Sequence, residues 1–225
     1  MITEKINISK EDFELLFHDK EEVKTHIVYK LINRANNQKL LETVPFVQYL
    51  DLAIVFYYVF PSVEDEYRGF LIKNVHMLSM GLTVNDLMSA ASENTEKLLG
   101  IKMQGIFSTI AEIVGEEGLS DFAKIEDSHV PLQVLSNRLG VFGASVILYK
   151  DAIKKIAEKM NSNIYIIPCS IHEVLIYREM KNCQIDISDI KEMITTVNQN
   201  EIPEDEILSD SLYYYSLESN TIGIA

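Results

Sequence analysis

The sequence predicts an α+β fold, mostly antiparallel sheet packed by about four amphipathic helices. Three observations carry that reading. Strand-like and helix-like stretches are interspersed without a sustained βαβ alternation, which argues against a doubly wound sheet. Two apolar runs, residues 52–60 and 163–177, are rich in β-branched and aromatic residues and have the character of strands. With 225 residues, 47% of them hydrophobic, the chain can bury about 70% of its extended surface and support a sizeable core.

Residues 1–22 read as a divergent N-terminal arm or short helix, with Ser9 as its cap and Phe13, Leu15, Leu16 and Phe17 as an apolar pattern. A single α+β domain is expected over residues 23–225. Residues 23–32 predict a strand, Asn36 and Asn37 a turn, and residues 38–43 a helical turn. A second strand over residues 49–60 and a neighbour over 67–73, joined by the polar stretch 61–66, predict an antiparallel pair.

The strongest helix signal begins at Thr83. Its hydroxyl can cap the first turn while Asp86, three residues on, reaches back, and Gly100 ends the apolar period set by Val84, Leu87, Met88, Ala91, Leu98 and Leu99. Residues 103–114 read as a second helix, and both helices are expected on one sheet. Gly115 and Gly118 then bound a charged connection. A strand follows at 131–137. Residues 144–149 fit a helix start or a buried strand equally, because a short apolar run has no decisive period.

Ile153, Ile156, Ala157 and Met160 form a helical stripe stopped by Asn161, and a strand is expected from residue 163 to Pro168. Residues 186–198 predict another amphipathic helix capped by Asp186 or Ser188, and residues 208–215 and 221–224 a closing hairpin.

A net charge of −14 repels phosphate backbones and anionic lipid heads, so direct nucleic-acid binding is not expected. The longest apolar run is less than half of the roughly 20 residues a membrane-spanning helix needs, and no membrane association is expected. Two cysteines, Cys169 and Cys183, and no signal-peptide pattern predict a cytoplasmic protein.

Chemistry, if present, would sit where the run 163–177 is broken by Cys169, Ser170, His172 and Glu173. Ser170, His172 and Glu173 offer a nucleophile, a base and an orienting carboxylate, the set a hydrolase needs. Alternation along a strand opposes His172 to Glu173, however, and leaves only Ser170 and His172 on one face. The alternative is a set of side chains that bond a tight turn. Asp205, Glu206, Asp210 and Ser211 with Glu173 make a candidate cation cluster, although their spacing is not that of a calcium-binding loop. Histidines at 18, 26, 76 and 129 lack metal-ligand spacing, and no metal or other cofactor is expected. Asn137 and Arg138 before Gly140 and Gly143 are a weak anion-binding pattern.

Residues 184–210 carry eight carboxylates against the single Lys191. Such a segment can meet a basic partner or keep the chain in solution. Asp205, Glu206, Asp210, Tyr213 and Tyr215 are therefore the expected partner-binding residues, with at least one of Tyr213, Tyr214 and Tyr215 turned into the core.

The strings YLDLAIVFYYVF, GLTVNDLMSAASENT, SNRLGVFGASVILYKDAIKKIAEKM, NIYIIPCSIHEVLIY and EIPEDEILSDSLYYY, in that order, resemble a bacterial family, domain of unknown function 5688, from about residue 23 to residue 225. The resemblance implies a cytosolic bacterial or phage-associated source and brings no activity, cofactor or catalytic residue. The function expected is binding of a protein partner through an acidic surface without covalent chemistry. The alternatives are a phage-type inhibitor of a nucleic-acid-binding defence complex, which would present carboxylates where phosphates bind, and a hydrolase using Ser170, His172 and Glu173. Oligomeric state is not set by the sequence.

Overall fold

The computed structural model describes residues 19–60, 68–115, 119–180 and 186–225. Residues 1–18 of the arm expected over residues 1–22, the connection at 61–66, Gly118 and Cys183 lie outside them. The fold is α+β, and every strand pairing is antiparallel. Where the sequence suggests one domain after residue 22, the chain forms two compact units. One is Met1–Gly100 with Leu148–Lys150; the other is Ile101–Ile147 with Asp151–Ala225.

In the first unit, α1 (Lys20–Thr25) leads into β1 (Ile27–Asn33), a short α2 (Gln38–Leu41), β2 (Phe46–Tyr49), β3 (Leu52–Val59), β4 (Gly69–Leu71), α3 (Asn74–Met80) and α4 (Val84–Leu99). β3 is the centre. β1 pairs along one edge, β2 and β4 follow each other along the other, and all eight β3 residues are buried. That position explains why residues 52–59 show no polar alternation: both faces are covered. The strand expected over residues 49–60 is in fact preceded by β2, because Leu50 turns the chain at φ 52° and makes a hairpin.

Helix α4 forms where the sequence predicts it. Thr83 Oγ1 accepts from the Asp86 amide at 3.2 Å while Asp86 Oδ2 accepts from the Thr83 amide at 2.8 Å. Leu87, Ala91, Thr95 and Leu99 are its buried residues, one helical turn apart, and the helix packs against β1.

The second unit comprises β5 (Lys102–Gly105), α5 (Ile106–Val114), α6 (Leu119–Asp127), β6 (Leu132–Ser136), α7 (Ala152–Met160), β7 (Ile164–Ile167), β8 (Val174–Arg178), α8 (Ile187–Asn200), β9 (Tyr213–Ser216) and β10 (Thr221–Ile224). A 3-10 helix, Gly143–Leu148, resolves the ambiguous apolar stretch. Its six strands run in the order β10, β9, β7, β8, β6, β5.

Three expectations are corrected here. The first residues of the helix read over 103–114 are a strand, since Met103 pairs with Leu135 before the helix starts at Ile106. Helix α6 is additional. Helices α4 and α5, expected on one sheet, belong to different units. Among the described residues there are eight α-helices and one 3-10 helix, against about four expected, because short helices carry too few turns to show a period. Among the described residues no helix is long and apolar enough to cross a membrane.

Candidate functional site

β7 ends at Ile167 and β8 begins at Val174, so Cys169, Ser170, His172 and Glu173 lie on the connection of an antiparallel pair. The turn is closed by its own backbone and side chains. The Ser170 amide donates to the Glu173 carbonyl at 3.3 Å, and the Ser170 hydroxyl donates to Glu173 Oε1 at 2.8 Å. The same hydroxyl oxygen accepts from the His172 amide at 3.0 Å. Ser170 is buried, and both of these bonds tie it to the turn.

The His172 ring points elsewhere. Nδ1 accepts from the Phe142 amide at 3.3 Å, which leaves Nε2 to carry the proton of the neutral ring. Nε2 faces Glu206 Oε1 at 3.5 Å, and the imidazole stacks on Phe142 with 5.9 Å between centroids and 12° between planes. Glu206 also holds the turn through its carbonyl, which accepts from the Ile171 amide at 2.9 Å. The structure thus makes two separate pairs, Ser170 with Glu173 and His172 with Glu206. Neither places a serine hydroxyl on an imidazole, the contact a serine nucleophile uses.

Cys169 packs beside Ile167, Ile194 and Leu212. Burial, reinforced by the neighbouring Glu173 carboxylate, pushes its thiol up to about 12. A thiol held neutral at physiological pH is a poor nucleophile.

Replacing Ser170 by alanine should lower stability by about 2 kcal/mol, since the Glu173 carboxylate and the His172 amide both lose a partner in a half-buried setting. A fall in the urea midpoint at unchanged slope checks this. An unchanged midpoint would mean that the hydroxyl is not holding the turn.

The other candidates disperse. Among the described residues no group of three or more histidine, cysteine, aspartate or glutamate side chains could hold a metal ion, so Glu173, Asp205, Glu206 and Asp210 do not converge. Asp210 instead accepts from Asn198 Nδ2 at 2.8 Å. Asn137 is buried and bonds its own loop, donating to the Val141 carbonyl at 2.7 Å and accepting from the Leu139 amide at 3.0 Å. Arg138 stands beside it at a polar hollow of about 300 Å³ that also meets Lys102, Glu112 and Glu173. Lys102 and Glu112 neutralise each other there, 2.7 Å apart.

The acidic segment is on the surface. Of its eight carboxylates all but Glu206 belong to exposed residues, and Lys191 turns its ammonium to the Ala225 oxygen at 2.6 Å. Met193 and Val197 are exposed on α8 among these charges. Tyr213 and Tyr215, expected to face a partner, are buried; strand alternation gives the outward place to Tyr214. Tyr214 Oη donates to Glu179 at 3.2 and 3.3 Å, and its ring lies 5.0 Å from that of Tyr165. Sequence reasoning did not single out Tyr165 or Glu179, because only the pairing of β7 with β8 and β9 brings them to Tyr214.

The model of one protein family, described as a family of unknown function (DUF5688), matches residues 2–217. The match begins well before residue 23, so the first segment falls within the matched region. No curated protein and no solved structure matches the chain.

Proposed function

For a chain that belongs to the DUF5688 family, we propose a noncovalent role in the cytoplasm: binding a basic protein partner through the acidic surface of residues 186–210. One observation carries the reading. All the carboxylates of this segment except that of Glu206 belong to exposed residues, with a single lysine among them, and that lysine is engaged with Ala225. Unpaired surface charge of one sign raises the encounter rate with a partner of opposite sign and suppresses like-charged ones. Exposed Met193 and Val197 add apolar area that charge alone would not supply. The reactive-looking turn contributes scaffolding, since Ser170, Glu173, His172 and Glu206 bond one another and the backbone.

The test is a fluorescence titration with a labelled lysine- and arginine-rich peptide at 50 and 300 mM salt. Neutralising Asp189, Glu192, Glu201, Glu204 and Asp205 to their amides should weaken binding at least tenfold at low salt. Neutralising Glu21, Glu22, Glu42, Glu93 and Asp121, equally exposed but elsewhere, should change it less than threefold. Equal losses in the two variants, or an affinity indifferent to salt, would overturn the proposal.

A further inference from the structure

A row of residues lies in register across the second sheet. Gly223 on β10 is opposite Tyr214 on β9, Tyr214 is opposite Tyr165 on β7, and Tyr165 is opposite Tyr177 on β8. This is the face that α8 partly covers, because Tyr165, Leu175 and Leu212 pack with Ile190 and Ile194. At Ile187, the first residue of α8, a cavity of about 470 Å³ opens, lined in part by Tyr165, Tyr214, Glu179, Gly223 and Ile224.

Each wall has a chemical character. The two tyrosine rings are tilted by 55° at 5.0 Å, and both residues line the cavity. Among the described residues Glu179 receives two neutral donors, the Tyr214 hydroxyl and the Asn163 amide at 2.9 Å, and no lysine or arginine of those residues pairs with it. Ile187 and Ile224 are apolar. Gly223 provides room by lacking a side chain: its φ is not positive, and a Cβ placed there meets nothing within 4 Å.

We propose that this cavity receives a lysine or arginine side chain of a basic protein partner. Aromatic rings and a carboxylate attract the cationic head, while Ile187 accompanies the aliphatic stem that such side chains bury. An anionic group is repelled by Glu179. β10 ends the strand order of the sheet, so an extended partner segment can run beside Gly223. The inference rests on the proposed binding of a basic partner and gives that binding an anchor point.

The experiment follows the tyrosine ring signals of the full chain by NMR during titration with Nα-acetyl-lysine methylamide, Nα-acetyl-arginine methylamide and the neutral Nα-acetyl-norleucine methylamide. The two cationic probes should shift the Tyr165 and Tyr214 rings, and the norleucine probe should not. Glu179→Gln, which keeps an oxygen for the Tyr214 hydroxyl, should weaken the cationic probes at least fivefold. Gly223→Val, which narrows the cavity beside the Tyr214 ring without backbone strain, should weaken them at least threefold. Norleucine shifts of equal size, or unchanged titrations in both variants, would overturn the assignment. If the single-residue probes shift nothing while the basic peptide still loses affinity on neutralising residues 189–205, the cavity assignment falls and the acidic-surface reading stands. The reverse pattern leaves the cavity and removes that reading.

Discussion

Replacing Gly143 by alanine is expected to destabilise the chain by about 3 kcal/mol, the upper end of what a single added methyl group does in a filled interior. A Cβ at this position would stand 2.0 Å from Ser136 Oγ, 2.5 Å from the His172 carbonyl oxygen and 2.7 Å from the Asn137 amide nitrogen. Two of the three are backbone atoms, so no rotamer change relieves the clash. Glycine is required by close approach and not by its dihedral, which is not in the left-handed region. The contacts crowded here are also those that hold the turn: Ser136 Oγ donates to the His172 carbonyl at 2.8 Å, and the Phe142 amide donates to His172 Nδ1. Displacing either partner should loosen His172 from Phe142 and from Glu206. A large fall in the urea midpoint together with faster exchange of the Phe142 amide is the expected result. Gly223→Ala is the matched control, because its methyl group meets open space and should move the midpoint by less than about 0.5 kcal/mol. If the two alanine variants are equally stable, the close packing around Gly143 is not real.

The elements legible in the sequence are those that announce themselves locally. Helix α4 carries a cap, a period and a terminal glycine within its own residues, and each appears in the structure. β3 is an unbroken apolar run, and the Asn161 stop of α7 adopts the left-handed conformation at φ 49°. Missed were elements whose identity depends on partners. β5 is four residues long, half-buried throughout, and becomes a strand only because β6 lies beside it. β2 depends on a turn at Leu50, a residue type with no turn preference of its own. The polar break at residues 169–173 is legible as a turn between two strands, where β7 ends and β8 begins. Its pairings were not foreseeable, since Glu206 and Phe142 reach His172 from distant parts of the chain. Strand alternation predicts that at least one of the three consecutive tyrosines faces inward. Which ones do so was set by the register of β9 on β7, which buries Tyr213 and Tyr215.

A second large effect is expected where α4 guards the outer edge of β1. Among the described residues β1 pairs with β3 alone, yet Ile27, Tyr29 and Leu31 are buried, so the backbone groups of its other side need partners that no described strand provides. Two adjacent side chains of α4 partner two of these groups, the Tyr29 amide and the Ile27 carbonyl. Thr95 Oγ1 accepts from the Tyr29 amide at 3.2 Å and donates to the Ala91 carbonyl at 2.6 Å, linking strand and helix backbones through one buried hydroxyl. Asn94 Nδ2 donates to the Ile27 carbonyl at 3.1 Å and to the Lys24 carbonyl at 2.6 Å. Thr95→Val keeps the volume and removes the acceptor, stranding a buried amide at a cost of about 2 kcal/mol. Combined with Asn94→Leu, the loss should approach about 4 kcal/mol, less if the helix shifts to admit water to the exposed edge. Thr95→Ser, which retains the oxygen, should recover most of the single loss and so separates hydrogen bonding from packing. The Tyr29 amide should exchange faster in Thr95→Val than in Thr95→Ser. Were Thr95→Val as stable as the parent, the amide must have another acceptor, and the polar seam between α4 and β1 would be packing alone. Should the seam hold, it explains why a helix with a strong apolar period places threonine at a fully buried position: the apolar stripe chooses the face, and the hydroxyl fixes where along β1 that face comes to rest.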